Sequence, residues 1–277
     1  MAFHLPRPRH LHAAILGIGL AMAGSAYADR LADIKARGTL ICGTLSTSQP
    51  LGFQDPKTRQ IVGFDVDTCA AIAKHLGVKL EHRPLSVEAR IPELALGRVD
   101  VVAAALGYTK ERARQIAFSD IHYQIPIKLV VPANSPIKDV SQAKDIKIST
   151  VKGSTPELYA RRMLTSTEVV TYQDAPTAFL ALQQGKSQAF AIAQMSGSRF
   201  VNESEGKVRF ADGQLHWEPT ALGVKKGEPA LLAAVNAALV QMEKDGELDA
   251  LWNKWVGPQT PYNIKREKKL TPLAAVE

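Results

Sequence analysis

From Val99 to Leu106 the chain carries one charge, Asp100, among seven apolar residues. A strand this apolar must be covered on both faces, as in a mostly parallel sheet sandwiched between helices. Gly107 and Tyr108 follow, and then Thr109-Lys110-Glu111-Arg112, so one arginine stands just past the buried strand end. A guanidinium fork takes both oxygens of a carboxylate, which a lysine cannot do with the same geometry. The ordinary alternative for Arg112 is a surface ion pair with Glu111 or Asp120.

The remaining pattern alternates strands and helices, which predicts an α/β fold. A helix over Leu31 to Arg37 stops at Gly38, and a strand covers Thr39 to Leu45. A hairpin is expected from Leu51 to Asp55 and Gln60 to Phe64. Asp65 is placed to cap a helix whose apolar positions Val66, Cys69, Ala70, Ala73 and Leu76 keep helical spacing. Helix Val87 to Leu96 precedes the apolar run. Helix, glycine and apolar strand recur from Leu180 to Ala193, as they do from Leu94 to Ala104, so two similar lobes are expected. The segments Ile125 to Pro132 and Thr220 to Lys226 are the extended stretches suited to cross between them. Glu228 to Trp255 is amphipathic and broken near Gly246, with Trp252 and Trp255 on its core face.

The combined pattern Gly63-Phe64-Asp65-Val66-Asp67, Thr109-Lys110-Glu111-Arg112 and Phe118-Ser119-Asp120 resembles the solute-binding proteins, family 3, that serve amino-acid ABC importers. It is nearest to the glutamate/aspartate and general amino-acid branch, and runs from about Leu31 to Pro261. The resemblance implies a periplasmic-binding-protein-like type II fold, two α/β lobes joined by two hinge strands. Lobe one is then residues 29–127 plus 222–277, and lobe two is 128–221. It further implies a monomer that closes on a small carboxylate-bearing ligand, delivers it to a membrane permease, and uses no cofactor and no metal.

The resemblance assigns the ligand carboxylate to Arg112 and Thr109, with Leu106 and Gly107 at the strand mouth. Ser154 and Thr155, after Gly153, face it from the other lobe. A helix starting at Pro156 would offer free N–H groups to an anion there, though plain capping by Ser154 or Thr155 explains the same residues. Arg90 either reaches the cleft or bridges elements of lobe one. Three positions depart from the family pattern. Ala193-Gln194 stands where an acidic residue usually meets the ligand ammonium, Gly107 where a small hydroxyl residue is common, and Ser48 where an aromatic often stacks. The pocket is therefore expected to be more neutral than usual, with Gln194 the polar group left near a ligand amine.

Residues 1–28 read as a secretory leader: Arg7 and Arg9, a twelve-residue apolar core from Ala13 to Gly24, and Ala26-Tyr27-Ala28 as a cleavage site. A bilayer span needs about 20 apolar residues. Export to the periplasm is expected, with 249 of the 277 residues in the mature chain. Cys42 and Cys69 then sit in an oxidising compartment and are either bonded or two separate buried thiols. Without Arg7 and Arg9 the formal charge of +7 falls to +5, which is mild for this length. Much of it lies in Lys265 to Lys269, read as a solvated tail and not a nucleic-acid patch, since no aromatics are interleaved.

No P-loop, GxSxG or helix-opening GxGxxG occurs in the mature chain. The competing readings are a cyclohexadienyl-dehydratase-like enzyme on the same fold, with Glu157 as its acid, and a ligand-binding sensor or accessory protein.

Overall fold

The computed structural model describes residues 1–3 and 29–276. Apart from its first three residues, the expected leader lies outside the described residues. Helix α1 (Arg30–Arg37) is capped by Asp29 and ended by Gly38 in the left-handed region. It leads into β1 (Thr39–Thr44). The buried Asp100 carboxylate ties the two together, accepting from Arg30, Arg37 and the Ile41 N–H.

Three short strands follow, β2 (Thr47–Ser48), β3 (Gly52–Gln54) and β4 (Ile61–Val62), in a small antiparallel sheet. The expected hairpin thus gains a third strand from the loop before it. Helix α2 (Phe64–His75) is capped by Gly63, not Asp65. Asp65 is instead inside the helix and buried, and its carboxylate accepts the Ala105 N–H at 2.8 Å.

After β5 (Lys79–Pro84) and α3 (Arg90–Ala95), the apolar run is buried as expected, yet only β6 (Val101–Val102) joins the sheet ladder. The chain turns away because Ala105 takes a positive φ of 47°, a conformation that persists in a non-glycine residue only when its surroundings fix it. Here they do: Asp65 holds the Ala105 N–H, and Arg90 donates to the carbonyls of Ala104 and Ala105. Helix α3 also starts later than the pattern predicts, at Arg90.

The second half comprises β7 (Ile116–Pro132), β8 (Lys147–Val151), α4 (Thr155–Met163), β9 (Glu168–Tyr172), α5 (Ala175–Gln183), β10 (Ala189–Ala193), α6 (Gln194–Glu203), β11 (Val208–Phe210), β12 (His216–Lys225), α7 (Pro229–Lys244) and α8 (Glu247–Trp255). The main sheet runs β5-β1-β6-β12-β7-β10-β8-β9, with β11 also on β7. Strand β7 belongs to both lobes: β12 flanks it from Ile116 to Ile127, and β10 and β11 pair with its end, from Ile127 to Pro132. Register irregularities in β12 between Thr220 and Gly223 mark where the paired strands bend.

Each lobe has its own core. Helices α1, α2, α7 and α8 cover one face of the first, around Leu40, Ile72, Val101, Val235 and Leu239, all at 0 % exposure. Ile127, Leu129, Ile148 and Ala189 centre the second. A further cluster joins Phe64, Tyr123, Met195 and Trp252 at the junction. Cys42 on β1 and Cys69 on α2 are disulfide-bonded, with Cα atoms 6.1 Å apart, which settles the choice that the sequence leaves open.

The charged segment near the C-terminus is exposed except at Arg266, which anchors it to lobe one. Arg266 is buried and donates to Glu243 at 2.6 Å, Asp249 at 2.9 Å and the His122 carbonyl at 2.9 Å. Thr271 then bridges to Ile121 on β7, and the Leu273 N–H donates to Asp120. Arg266, and Lys269 through Asp249, face partners brought from other parts of the chain, which the local sequence does not reveal, while Lys265, Glu267 and Lys268 are exposed as expected.

Candidate functional site

The lobes meet over a cleft with about 560 Å³ of empty space, part of it open to solvent. Lobe one brings Ser48 on β2, Arg90 at the start of α3 and Ala105 in the strained turn after β6. Lobe two brings Ser154 and Thr155 at the start of α4. Strand β12 supplies Glu218. Asp174, at the start of α5, and Ala193 and Ser196, from the β10–α6 junction, add to the polar and small-residue wall.

Arg112 lies in a single 3₁₀ turn whose first N–H groups Thr109 helps to satisfy: the Arg112 N–H donates to the Thr109 hydroxyl at 3.1 Å. Arg112 is 9 % exposed. Nη1 donates to the Gly107 carbonyl at 2.6 Å and to Thr155 Oγ1 at 3.0 Å, and Nη2 donates to the Gly153 carbonyl at 2.9 Å. Two of these three acceptors belong to lobe two, so this side chain fastens one lobe to the other. Arg90 adds a longer reach to the same Gly153 carbonyl, at 3.3 Å. On the cleft's other side, the hydroxyls of Ser48 and Ser196 stand 3.3 Å apart.

The Thr155 hydroxyl already accepts from Arg112, so its own proton is free to go to the Glu218 carboxylate, with which Thr155 hydrogen-bonds. A charge relay results, guanidinium to hydroxyl to carboxylate. Glu218 is 5 % exposed. Burial raises its carboxyl above the usual carboxylate range, while the Thr155 bond and the two arginines oppose that rise. Burial is also the main reason that Arg90 is lowered to about 9, the neighbouring Arg112 charge adding to it. Arg112 shifts down for the same first reason, against the pull of Glu218. Asp65 completes the set, raised to about 7 by burial despite the Ala105 N–H and Arg90.

Ser48, Arg90, Ser154 and Thr155 therefore line the cleft together. Arg112 and Gly107 stand behind its wall and reach it through Thr155 and Glu218. Thr109 faces an outer groove with Arg112, and Leu106 is core. Both readings of Arg90 hold, since it bridges lobe-one carbonyls and lines the cleft. Ser154 is the N-cap of α4 and accepts the Glu157 N–H at 3.2 Å. Gln194 belongs elsewhere, in a groove behind β12 with Trp217 and Tyr262. Glu157 also lies outside the cleft, accepting from the Gly153 N–H at 2.8 Å and from Arg161 at 3.0 Å.

The expectation of a neutral pocket does not hold. The position after β10 lacks an acid, as the sequence says, but Glu218 brings a carboxylate into the cleft from the hinge strand. The available signal was a charge within the otherwise uncharged stretch Trp217 to Val224. Gly107 is the reciprocal sign, because a Cβ there would collide with a Glu218 oxygen and come within 2.6 Å of the Thr155 hydroxyl.

Comparison with known proteins agrees with this architecture. The chain is 32 % identical over 237 residues to the ABC transporter glutamine-binding protein GlnH of Bacillus subtilis (strain 168), covering 82 % of this chain and 85 % of the relative. Its fold matches the crystal structure of the solute receptors for L-cysteine of Neisseria gonorrhoeae, with a TM-score of 0.80 at 29 % identity over 86 % of this chain and 97 % of that one. It also matches the ancestral amino-acid-binding protein AncCDT-1, a precursor of cyclohexadienyl dehydratase, with a TM-score of 0.74 at 31 % identity, over 82 % of this chain and 99 % of that one. Residues 40–258 match the model of one family, and the chain belongs to it: the bacterial extracellular solute-binding proteins, family 3.

Proposed function

We propose that this protein binds an amino acid between its lobes outside the cytoplasm and hands it to the membrane permease of an ABC importer, without chemical turnover. The observation that carries the reading is the bonding of Arg112 across the lobe boundary to Thr155 and Gly153, beside the interlobe cleft. Side chains that hold two lobes together above a cavity convert ligand binding into hinge closure. The named ligands of relatives, glutamine and L-cysteine among them, support an amino acid as the class.

In this reading Arg112 and Arg90 supply the positive charge for the ligand carboxylate, assisted by the start of α4, whose N–H groups and dipole favour an anion. The mature protein begins at Asp29 in the periplasm and acts as a monomer, with lobe one formed by residues 29–127 and 222–277 and lobe two by 128–221. The enzyme reading draws on the likeness to the dehydratase precursor. Against it, Glu157 is held by the Gly153 N–H and Arg161 outside the cleft.

A melting-temperature screen of the ligand-stripped protein against the twenty common amino acids, L-cystine and prephenate tests the proposal. At least one amino acid should raise the melting temperature, and prephenate should be recovered unchanged. Conversion of prephenate, at a rate that Glu157→Gln abolishes, would replace transport by catalysis.

A further inference from the structure

Four buried ionisable side chains, two of each sign, gather at the cleft: Arg90 and Glu218 line it, and Arg112 and Asp65 stand behind its wall. Their placement differs. Asp65 is committed to the Ala105 N–H inside lobe one. Glu218, on the strand both lobes share, lines the cavity, and so does the half-buried Asp174, whose carboxylate is taken up in capping α5 through the Thr177 N–H. The hydrogen-bond partner of Glu218 there is the Thr155 hydroxyl, and Arg112 and Arg90 act on it as neighbouring charges.

We infer that Glu218 is the group that receives the α-ammonium of the ligand, taking the place of the acid that Ala193-Gln194 does not supply. This deepens the amino-acid reading above and rests on it.

Three observations carry it. An α-amino acid holds its two charges on neighbouring atoms, so a site for it needs a cation and an anion converging on one spot. Arg112, Thr155 and Glu218 form that convergence through a single shared hydroxyl. Charge balance points the same way. Arg90 and Glu218, the buried cation and carboxylate that line the cleft, give each charge of a net-neutral zwitterion a partner, whereas the second carboxylate of a dicarboxylate would face Glu218. The third observation is steric. Gly107 leaves room for the Glu218 carboxylate at the strand mouth, where any Cβ would collide with it. The missing hydroxyl residue and the added acid are thus one exchange, seen from two positions of the chain.

The competing role for Glu218 is that of an internal counter-ion, which a ligand carboxylate must displace from the arginines. The two roles predict opposite effects of neutralising it. If Glu218 receives the ammonium, Glu218→Gln weakens a free amino acid and spares its N-acetyl form. If it is a counter-ion, Glu218→Gln strengthens both.

Calorimetry decides, using the ligand-stripped native protein, Glu218→Gln and Gly107→Ala with whichever of the twenty amino acids or L-cystine binds the native protein, and with the N-acetyl form of that compound. The native protein should prefer the free amine by at least a hundredfold. Glu218→Gln should lose at least tenfold for the free amine and leave the N-acetyl form unchanged, so that the preference narrows. Gly107→Ala keeps the charge but blocks its seat, and should show the same selective loss even if Glu218→Gln fails to fold. Equal or tighter binding of the free amino acid by Glu218→Gln overturns the inference and leaves amino-acid binding intact. So does native protein that binds the N-acetyl form as tightly. If no amino acid binds the native protein, the amino-acid reading falls first and the inference with it.

Discussion

Arg112 and Thr155 meet across the lobe boundary, the Nη1 of one donating to the Oγ1 of the other at 3.0 Å. Thr155 is 2 % exposed, so neither partner has water to fall back on. Thr155→Val keeps the shape and removes the hydroxyl that links Arg112 to Glu218. Leaving a buried polar group unsatisfied costs about 1–3 kcal/mol. Calorimetry should show amino-acid affinity lowered by that amount, with the melting temperature of the empty protein falling as well. Unchanged affinity would mean that this relay plays no part in binding.

Arg112 itself is asked to do more, because it anchors three acceptors and faces a buried carboxylate. Arg112→Ala should weaken binding by about 3–5 kcal/mol, the range for removing one side of a buried charge pair. Arg112→Lys should recover little, since an ammonium cannot reach acceptors on both lobes in the same fork. A lysine variant that binds at the native level would show that only the charge matters.

Much of this was legible in the chain. Arg112, Ser154 and Thr155 follow from a buried strand end, an arginine past it, and a glycine before a helix, all of them local patterns. Their long-range partners are not local. Glu218 lies more than one hundred residues from Arg112 in sequence, and only the antiparallel register of β7 and β12 brings the two lobes' walls beside it. Asp65 was displaced from its expected capping role by two residues, because the buried Ala105 N–H, 40 positions away, claims its carboxylate. Arg266 looked solvated for the same reason: Glu243, Asp249 and the His122 carbonyl converge on it only in the folded chain.

The Cys42–Cys69 bridge closes a loop of sequence separation 27. In the chain-entropy model such a loop contributes about 3–4 kcal/mol. The Cys42→Ser, Cys69→Ser double variant should be destabilised by about that much in urea titrations under oxidising conditions. Adding a reductant should lower the native protein toward the variant and leave the variant where it was. Native protein indifferent to reductant, with both thiols open to alkylation, would show that the bond does not form.

His122 and Asp65 are both buried, and their shifts have opposite signs. His122 is lowered to about 3 by burial and by the Arg266 charge, so the unfolded chain takes up a proton that the folded one refuses. Its contribution to stability is lost as pH falls below about 6.5. Asp65 is raised to about 7 by burial. The folded state then holds a proton the unfolded chain releases, and this contribution is lost as pH rises from about 4 toward 7. Between pH 4 and 6.5 the two oppose each other. His122→Phe should therefore gain stability relative to the native protein as pH falls through this window, and Asp65→Asn should lose it, each by up to about 1.4 kcal/mol per pH unit. Parallel pH–stability curves for the native protein and both variants would refute these shifts.

The most direct test of the account is the electron density of a bound ligand. A crystal of the protein grown with the amino acid that raises its melting temperature most should show that amino acid between the lobes, its carboxylate toward Arg112 and the start of α4, its ammonium within hydrogen-bonding distance of Glu218. Density for the ligand outside the interlobe cleft, as in the groove lined by Gln194, Trp217 and Tyr262, with the cleft left empty, would contradict it.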